Sequence, residues 1–245
     1  MMLLSLVLRY IRNTLLIIGL CMCRLSAAEP QMVIASFPIQ DDFNAIMRQL
    51  VLEAYARVGV KVEIRSFPGE RAIIMANSGA VDGDLFRIAG VEEQYKNLMM
   101  IPEAVHQMHM AAFAKDVRFE VKGWASLAPY RISYEIGTKL AEENIKGMML
   151  EPVVDSMTAF RMLDMGRSDV ALESYIGGMS VIRSLKLEDI YVLRPMLETL
   201  DMYHYVHKRH RELVPQLTKV IRQMKAENRQ TDITRQVMTQ VDSGL

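Results

Sequence analysis

The chain has 245 residues, 51% of them hydrophobic and 24% charged, which is enough for one large domain or two of about 100 residues each. Its 29 basic and 29 acidic residues balance, and removing Arg9, Arg12 and Arg24 with an amino-terminal leader takes the basic count from 29 to 26 against 29. The resulting slight negative charge excludes nucleic acid and anionic membrane surfaces as partners selected by charge.

Residues 1–28 read as a secretory signal peptide. Arg9 and Arg12 supply positive charge, residues 14–22 an apolar core, and Leu25-Ser26-Ala27-Ala28 the small residues of a cleavage site before Glu29. The core is shorter than the roughly 20 residues that span a bilayer. Cleavage after Ala28 and a periplasmic mature chain are therefore expected, with an uncleaved membrane anchor as the alternative. Leu20 and Met22 precede Cys21 and Cys23, where a lipid-attachment site has a small residue, so lipidation is not expected. Both cysteines leave with the leader, and the remaining chain has no thiol to mispair in an oxidising compartment.

Residues 31–37 form a β run closed by Pro38. Asp41 can cap the next helix, in which Phe43, Ile46, Met47, Leu50, Val51, Ala54 and Tyr55 recur at helical spacing until Gly59. Residues 60–67 then alternate, with Val60, Val62, Ile64 and Ser66 on one face. Strand, helix and strand in this order make a βαβ unit with parallel strands and a right-handed crossover. Open sheets of this kind bind ligands at the carboxyl ends of their strands, which puts Phe37, the 66–71 corner and Arg87 on one rim.

Pro68 and Gly69 open a predicted helix over 70–77, closed by Ser78-Gly79, and an Asp82-Gly83 turn leads into a short strand carrying Arg87. Arg71 and Arg87 thus mark the two ends of one unit. They suit an anionic ligand, or they are solvated surface charges. Residues 90–102 read as a helix and exit loop, and 104–114 as a β run. His106 and His109, three apart, fall on opposite faces of a strand with no third ligand nearby, so a metal site is not predicted.

In the second half, a strand is expected at 130–134. Gly137-Thr138 then turns the chain into a helix over 139–146, with a hydroxyl and free backbone N–H groups at its positive end. A strand and cap follow at 153–156, then a helix with Ala159, Met162 and Leu163 inward and Gly166 at its end. Asp169 enters a strand over 170–172 that ends at Glu173. Helix 176–185, strand 190–193, the Arg194-Pro195 return and strand 200–207 come next. A helix over 208–225 buries Leu213, Leu217, Val220, Ile221 and Met224, and 232–241 forms a last helix. His204, His207 and His210 are expected at the surface, and the 20 methionines as core filler.

Several of these stretches resemble the family 3 extracellular solute-binding proteins, the polar amino-acid receptors of bacterial importers. They are Pro68-x-x-Arg71, a helix and then Gly79-x-x-Asp82-Gly83; Tyr95-x-x-Leu98; the run from Leu163 through Gly166-Arg167 to Asp169; and Lys208-x-His210-x-Glu212-Leu213. The family's Gly-Phe-Asp-x-Asp opening is absent, and its Glu-Arg pair after the first Asp-Gly is replaced by Arg87 alone. The resemblance implies an α/β, type II, two-lobe periplasmic-binding-protein-like fold, each lobe a mixed sheet flanked by helices. Lobe 1 would comprise 29–113 plus 195–245, and lobe 2 would comprise 114–194. In the family the Gly-Thr corner helps hold the ligand's carboxylate and an acidic residue near the 170–173 strand end takes its amino group. Carried over, these are Thr138 and Glu173.

The expected mechanism is a clamp. Two crossings, near Phe113 and Arg194, let the lobes rotate, and a ligand touching both favours the closed form by its differential affinity. The candidate ligand-binding residues are Phe37, Arg71, Arg87, Tyr130, Thr138, Ser156 and Glu173. Arg71 or Arg87 would fork a carboxylate, Glu173 would hold an ammonium, and Phe37 and Tyr130 would flank the apolar body. The expected function is capture of an amino acid or related carboxylate for an ABC importer, without cofactor or catalysis. A sensor or partner-binding protein on the same fold is the alternative. A dehydratase-like enzyme would need Glu173 or a histidine as general acid, and no nucleophile-base spacing supports one.

Overall fold

The computed structural model describes residues 31–37, 41–68 and 70–240, Lys139 and Gln240 by their backbone only. The predicted signal peptide lies outside the described residues, and a compact unit begins at Met32. Among the described residues no helix is long and apolar enough to cross a membrane.

β1 (Met32–Ser36), α1 (Asp42–Arg57) and β2 (Val62–Ser66) form the expected βαβ unit, with β1 parallel to β2. The Asp41 carboxylate accepts the Asn44 N–H at 2.7 Å and so caps α1. The apolar stripe of α1 is buried as its spacing predicts, from Ile46 to Tyr55. Each fully buried side chain of this size contributes roughly 1.5–3 kcal/mol. α2 (Arg71–Ser78) ends on Gly79 at φ 77, the left-handed conformation that glycine adopts without a steric penalty. Arg71 is the first residue of this helix.

β3 (Gly83–Arg87) pairs parallel with β1. Gly83 lies in this strand rather than in a turn. A Cβ there would sit 2.3 Å from the Tyr205 carbonyl oxygen, so close backbone approach dictates the glycine. In place of the helix and exit loop expected over 90–102 there is a 3-10 turn, Val91–Glu93, followed by β4 (Leu98–Met100). Leu98 and Ile101 alone are buried there, too few for a helical stripe, and pairing with a later strand satisfies the backbone.

β5 (His106–Ala114), β6 (Arg131–Glu135), α3 (Lys139–Asn144), β7 (Met149–Val153), α4 (Ser156–Asp164) and β8 (Val170–Ser174) follow. Then come α5 (Tyr175–Leu185), β9 (Tyr191–Val192), β10 (Glu198–His207), α6 (Leu213–Ala226) and α7 (Arg229–Gln240). β7 starts earlier than expected, and Pro152 is tolerated because β7 is an edge strand. Asp155, not Ser156, caps α4, accepting the Thr158 N–H at 2.7 Å.

The strand order is β2-β1-β3-β10-β5-β8-β6-β7, with β4 on β10 and β9 on β5. β1, β2 and β3 are mutually parallel, as are β6, β7 and β8, while β10 and β5 run antiparallel to their neighbours. β10 pairs with β5 through its first half and with β3 and β4 through its second. β5 pairs with β10 over its first half and with β8 over its second. These two strands are shared by both parts of the sheet. Separate apolar clusters lie on either side, one around α1, α6 and α7, another around Leu127, Ile132, Ala141 and Leu172.

His204 is not at the surface. It is 1% exposed, flanked in β10 by buried Tyr205 and Val206, because this part of β10 is covered on both faces. His207 and His210 are half-buried, and His210 Nε2 lies 2.7 Å from Asp82.

Candidate functional site

A cavity of about 570 Å³ opens where the carboxyl ends of the parallel strands face one another across β5 and β10. Its floor comes from residues of one face of the shared ribbon, Met108 and Met110 of β5 opposite Leu200 and Glu198 of β10. One wall carries Phe37 after β1, Asp41, Phe43 and Asn44 at the start of α1, and Phe86 and Ile88 at the end of β3. The opposite wall carries Thr138, Leu140 and Glu143 around α3, and Glu173 and Ser174 at the end of β8. Phe86 stands edge-on to both Phe37, at 6.0 Å between centroids, and Phe43, at 5.6 Å, so the first wall is a small aromatic cluster.

Of the residues expected at the site, the structure brings Phe37, Thr138 and Glu173 to this cavity. Ser156 stands immediately behind Glu173. Its hydroxyl touches the Glu173 carboxyl and lies 2.8 Å from the Glu135 carboxyl, which also accepts the Ser156 N–H. One hydroxyl has one proton, so it cannot donate to both acids. Burial pushes the Glu173 pKa up, against the pull of Ser156 and the Ser174 N–H. A proton on Glu173 donated to Ser156, which donates to Glu135, satisfies all three, and a cation placed against Glu173 can take that proton's place. Burial likewise raises the pKa of Asp41 across the cavity, with Asp42 and Glu135 adding to the effect.

Arg71, Arg87 and Tyr130 do not line the cavity. Arg71 is exposed at the first position of α2. Arg87 is turned inward onto its own strand, where Nε and Nη2 form a two-pronged pair with Asp84 at 3.0 and 2.8 Å. That carboxylate is 1% exposed, and the guanidinium also covers one face of the Phe37 ring at 3.9 Å. Tyr130 stacks on Phe119 at 4.4 Å, within the apolar cluster beneath β6. The Gly137-Thr138 corner also differs from expectation. The Gly137 N–H donates to the Glu142 carboxylate at 2.8 Å and the Thr138 N–H to the Glu135 carbonyl at 3.2 Å, so these two backbone donors are taken.

Sequence reasoning missed the floor and much of the walls. Met108, Met110, Leu200 and Met202 could have been found from alternation once β5 and β10 were paired, since all occupy one face. Asp41 was visible only as a cap, and Glu198 belongs to no motif. Among the described lining residues there are four carboxylates, on Asp41, Glu143, Glu173 and Glu198, and no Lys, Arg or His. Phe37, Phe43, Phe86, Met108, Met110 and Met202 supply apolar surface. Such a lining can hold an ammonium or similar cation attached to an apolar body.

A second cavity, of about 580 Å³, lies on the other side of the ribbon beneath α7. Its polar side chains are largely engaged with one another, His106 Nε2 with Thr234 at 3.0 Å, Gln107 with Asp201 at 2.9 Å, and Lys225 with Glu103. Among the described residues no three His, Cys, Asp or Glu side chains group as metal ligands.

No family model matches the chain. A protein of uncharacterized function from Shewanella oneidensis is 28% identical over 182 residues, covering 71% of this chain and 69% of that protein. Among solved structures, a histidine kinase sensor domain with similarity to periplasmic binding proteins superposes with a TM-score of 0.64 at 18% identity, over 84% of this chain and 95% of that one. An ancestral arginine-binding protein bound to arginine gives 0.64 at 16% identity, over 84% and 97%. The VFT2 domain of BvgS from Bordetella pertussis gives 0.63 at 14% identity, over 86% and 94%. The first is described as a sensor domain and the second as a binding protein. At these identities the likeness shows the fold, which is an α/β, two-lobe, periplasmic-binding-protein-like architecture with a mixed sheet flanked by helices in each lobe.

Proposed function

We propose that this protein is a periplasmic capture protein, exported by removal of residues 1–28, that closes two lobes over a small amine-bearing ligand. Lobe 1 comprises 29–113 plus 195–245 and lobe 2 comprises 114–194. The observation that carries the reading is the 570 Å³ cavity, whose walls come from both sets of parallel strand ends and whose floor is the β5-β10 ribbon common to them. Glu173 takes the ammonium, Asp41 reinforces it from the other wall, and Phe37 and the methionines enclose the apolar part. Ligand contacts to both walls favour closure because the open form makes only half of them.

The captured ligand is passed to an ABC permease or presented to a sensor. Both destinations are compatible with the fold, which a histidine kinase sensor domain and an arginine-binding protein each share over more than four-fifths of this chain. Thermal unfolding of the purified protein with a panel of amino acids, amines, carboxylates and neutral solutes tests capture. A ligand at 100 times its Kd stabilises by about 2.7 kcal/mol, which for a domain of this size raises Tm by about 5–10 °C. At least one solute is expected to do so, less strongly with Glu173→Gln. A panel in which every solute leaves Tm unchanged contradicts the reading.

A further inference from the structure

The groups that would hold a ligand's acid are already occupied within the protein, and the cavity wall carries the opposite requirement. From this we infer that the ligand is a cation without a carboxylate: an amine or guanidine carried on an apolar body, rather than an amino acid. The inference rests on the capture reading above and narrows its ligand.

Two features could have received a carboxylate. The first is the Arg87 guanidinium, but its paired donors close on Asp84 at 3.0 and 2.8 Å, and Asp84 is so buried that it needs this partner. Turning Arg87 toward a ligand would strand that acid. The second is the Gly137-Thr138 corner, where the Gly137 N–H is held by Glu142 and the Thr138 N–H by the Glu135 carbonyl. Of these two features, only the neutral Thr138 hydroxyl is left to the cavity, without a charged donor beside it.

The described lining of the cavity is acidic. Asp41 and Glu173 face it from opposite walls, with Glu198 at the floor and Glu143 at the rim, and among the described lining residues no basic side chain offsets them. Glu198 is fixed by the Trp124 indole N–H at 3.1 Å, so its charge is positioned rather than free to swing out. A ligand carboxylate brought into this space would lose its hydration and meet acidic side chains with no described cation to pair with, while an ammonium or guanidinium meets acids and aromatic faces. A zwitterion gains on one end and loses on the other.

Calorimetric titration of the purified protein with matched pairs is the test: agmatine against arginine, phenethylamine against phenylalanine, and cadaverine against lysine, with phenylacetate and benzyl alcohol as acid and neutral controls. At least one amine is expected to bind ten-fold or more tightly than its parent amino acid, and phenylacetate not at all. If an amino acid binds as tightly as its decarboxylated partner, or if only phenylacetate or benzyl alcohol binds, the ligand class is wrong while capture stands. If no solute of any charge binds, the capture reading fails with it.

Discussion

Arg87 and Arg71 look alike in sequence, each flanking a Gly-containing turn, yet their surroundings separate them. Arg87 neutralises Asp84, whose side chain is 1% exposed, whereas Arg71 projects into solvent. Removing one partner of a buried pair costs about 3–5 kcal/mol and an exposed change within about 0.5 kcal/mol. Urea unfolding should therefore show Arg87→Ala losing about 3 kcal/mol, at the low end because Arg87 keeps some exposure, and Arg71→Ala matching wild type. The arginines were legible as a pair worth testing. Their fates were not, because Asp84 and Arg87 are three apart on a strand and alternation would send them to opposite faces. The register of β10 against β3 shifts between Tyr203 and Tyr205, so simple alternation fails at this strand end.

His204 makes a second prediction at this scale. Its Nδ1 donates to the Leu85 carbonyl at 3.2 Å, so Nε2 accepts the hydrogen bond that the Tyr55 hydroxyl donates at 2.8 Å. Burial pushes its pKa from 6.5 down to about 4. The unfolded chain therefore takes up a proton below pH 6.5 that the folded chain refuses until about pH 4. Stability is full above pH 6.5 and falls between the two values, at about 1.36 kcal/mol per unit and about 3 kcal/mol in all. Unfolding free energies of wild type should drop by that amount relative to His204→Gln between pH 7.5 and 4, and parallel curves would refute the assignment.

At the scale of elements, periodicity located most of the helices and strands because their apolar spacing is long and regular, as in α1 and α6. It failed over 90–102, where three-residue β4 exists only because β10 supplies partners distant in sequence. α5 shows another contact that no local pattern reveals. Gly178 sits inside this helix, where alanine gains about 1 kcal/mol of helix propensity. A Cβ there would lie 2.3 Å from the ring of Phe113, which is fully buried in β5 and cannot yield. Overpacking of this kind costs about 1–3 kcal/mol. Gly178→Ala is accordingly expected to lower stability by up to about 2 kcal/mol in urea unfolding, and a stabilised variant would show that α5 is free to move off the sheet.

For the whole molecule, the two-lobe fold was legible from the order of strands and helices together with a few turn motifs, since a βαβ unit admits few topologies. The cavity was only half legible. Phe37, Thr138 and Glu173 stand at strand or helix ends that sequence can locate. The floor consists of plain Met and Leu positions that acquire meaning when β5 and β10 are laid side by side. Charge at the site was the least legible quantity, because four carboxylates converge from residues 41, 143, 173 and 198, far apart in the chain.

The richness in methionine offers a direct reading of where a ligand sits. Met108, Met110 and Met202 line the cavity, whereas Met149 and Met165 are exposed elsewhere. Methyl-labelled methionine spectra, assigned by Met→Leu substitution, would be recorded while the pooled small amines are titrated in. Saturable shifts at Met108, Met110 and Met202, with Met149 and Met165 unmoved, are the predicted result. Unmoved cavity methyls, or shifts confined to the exposed ones, would contradict capture in this cavity.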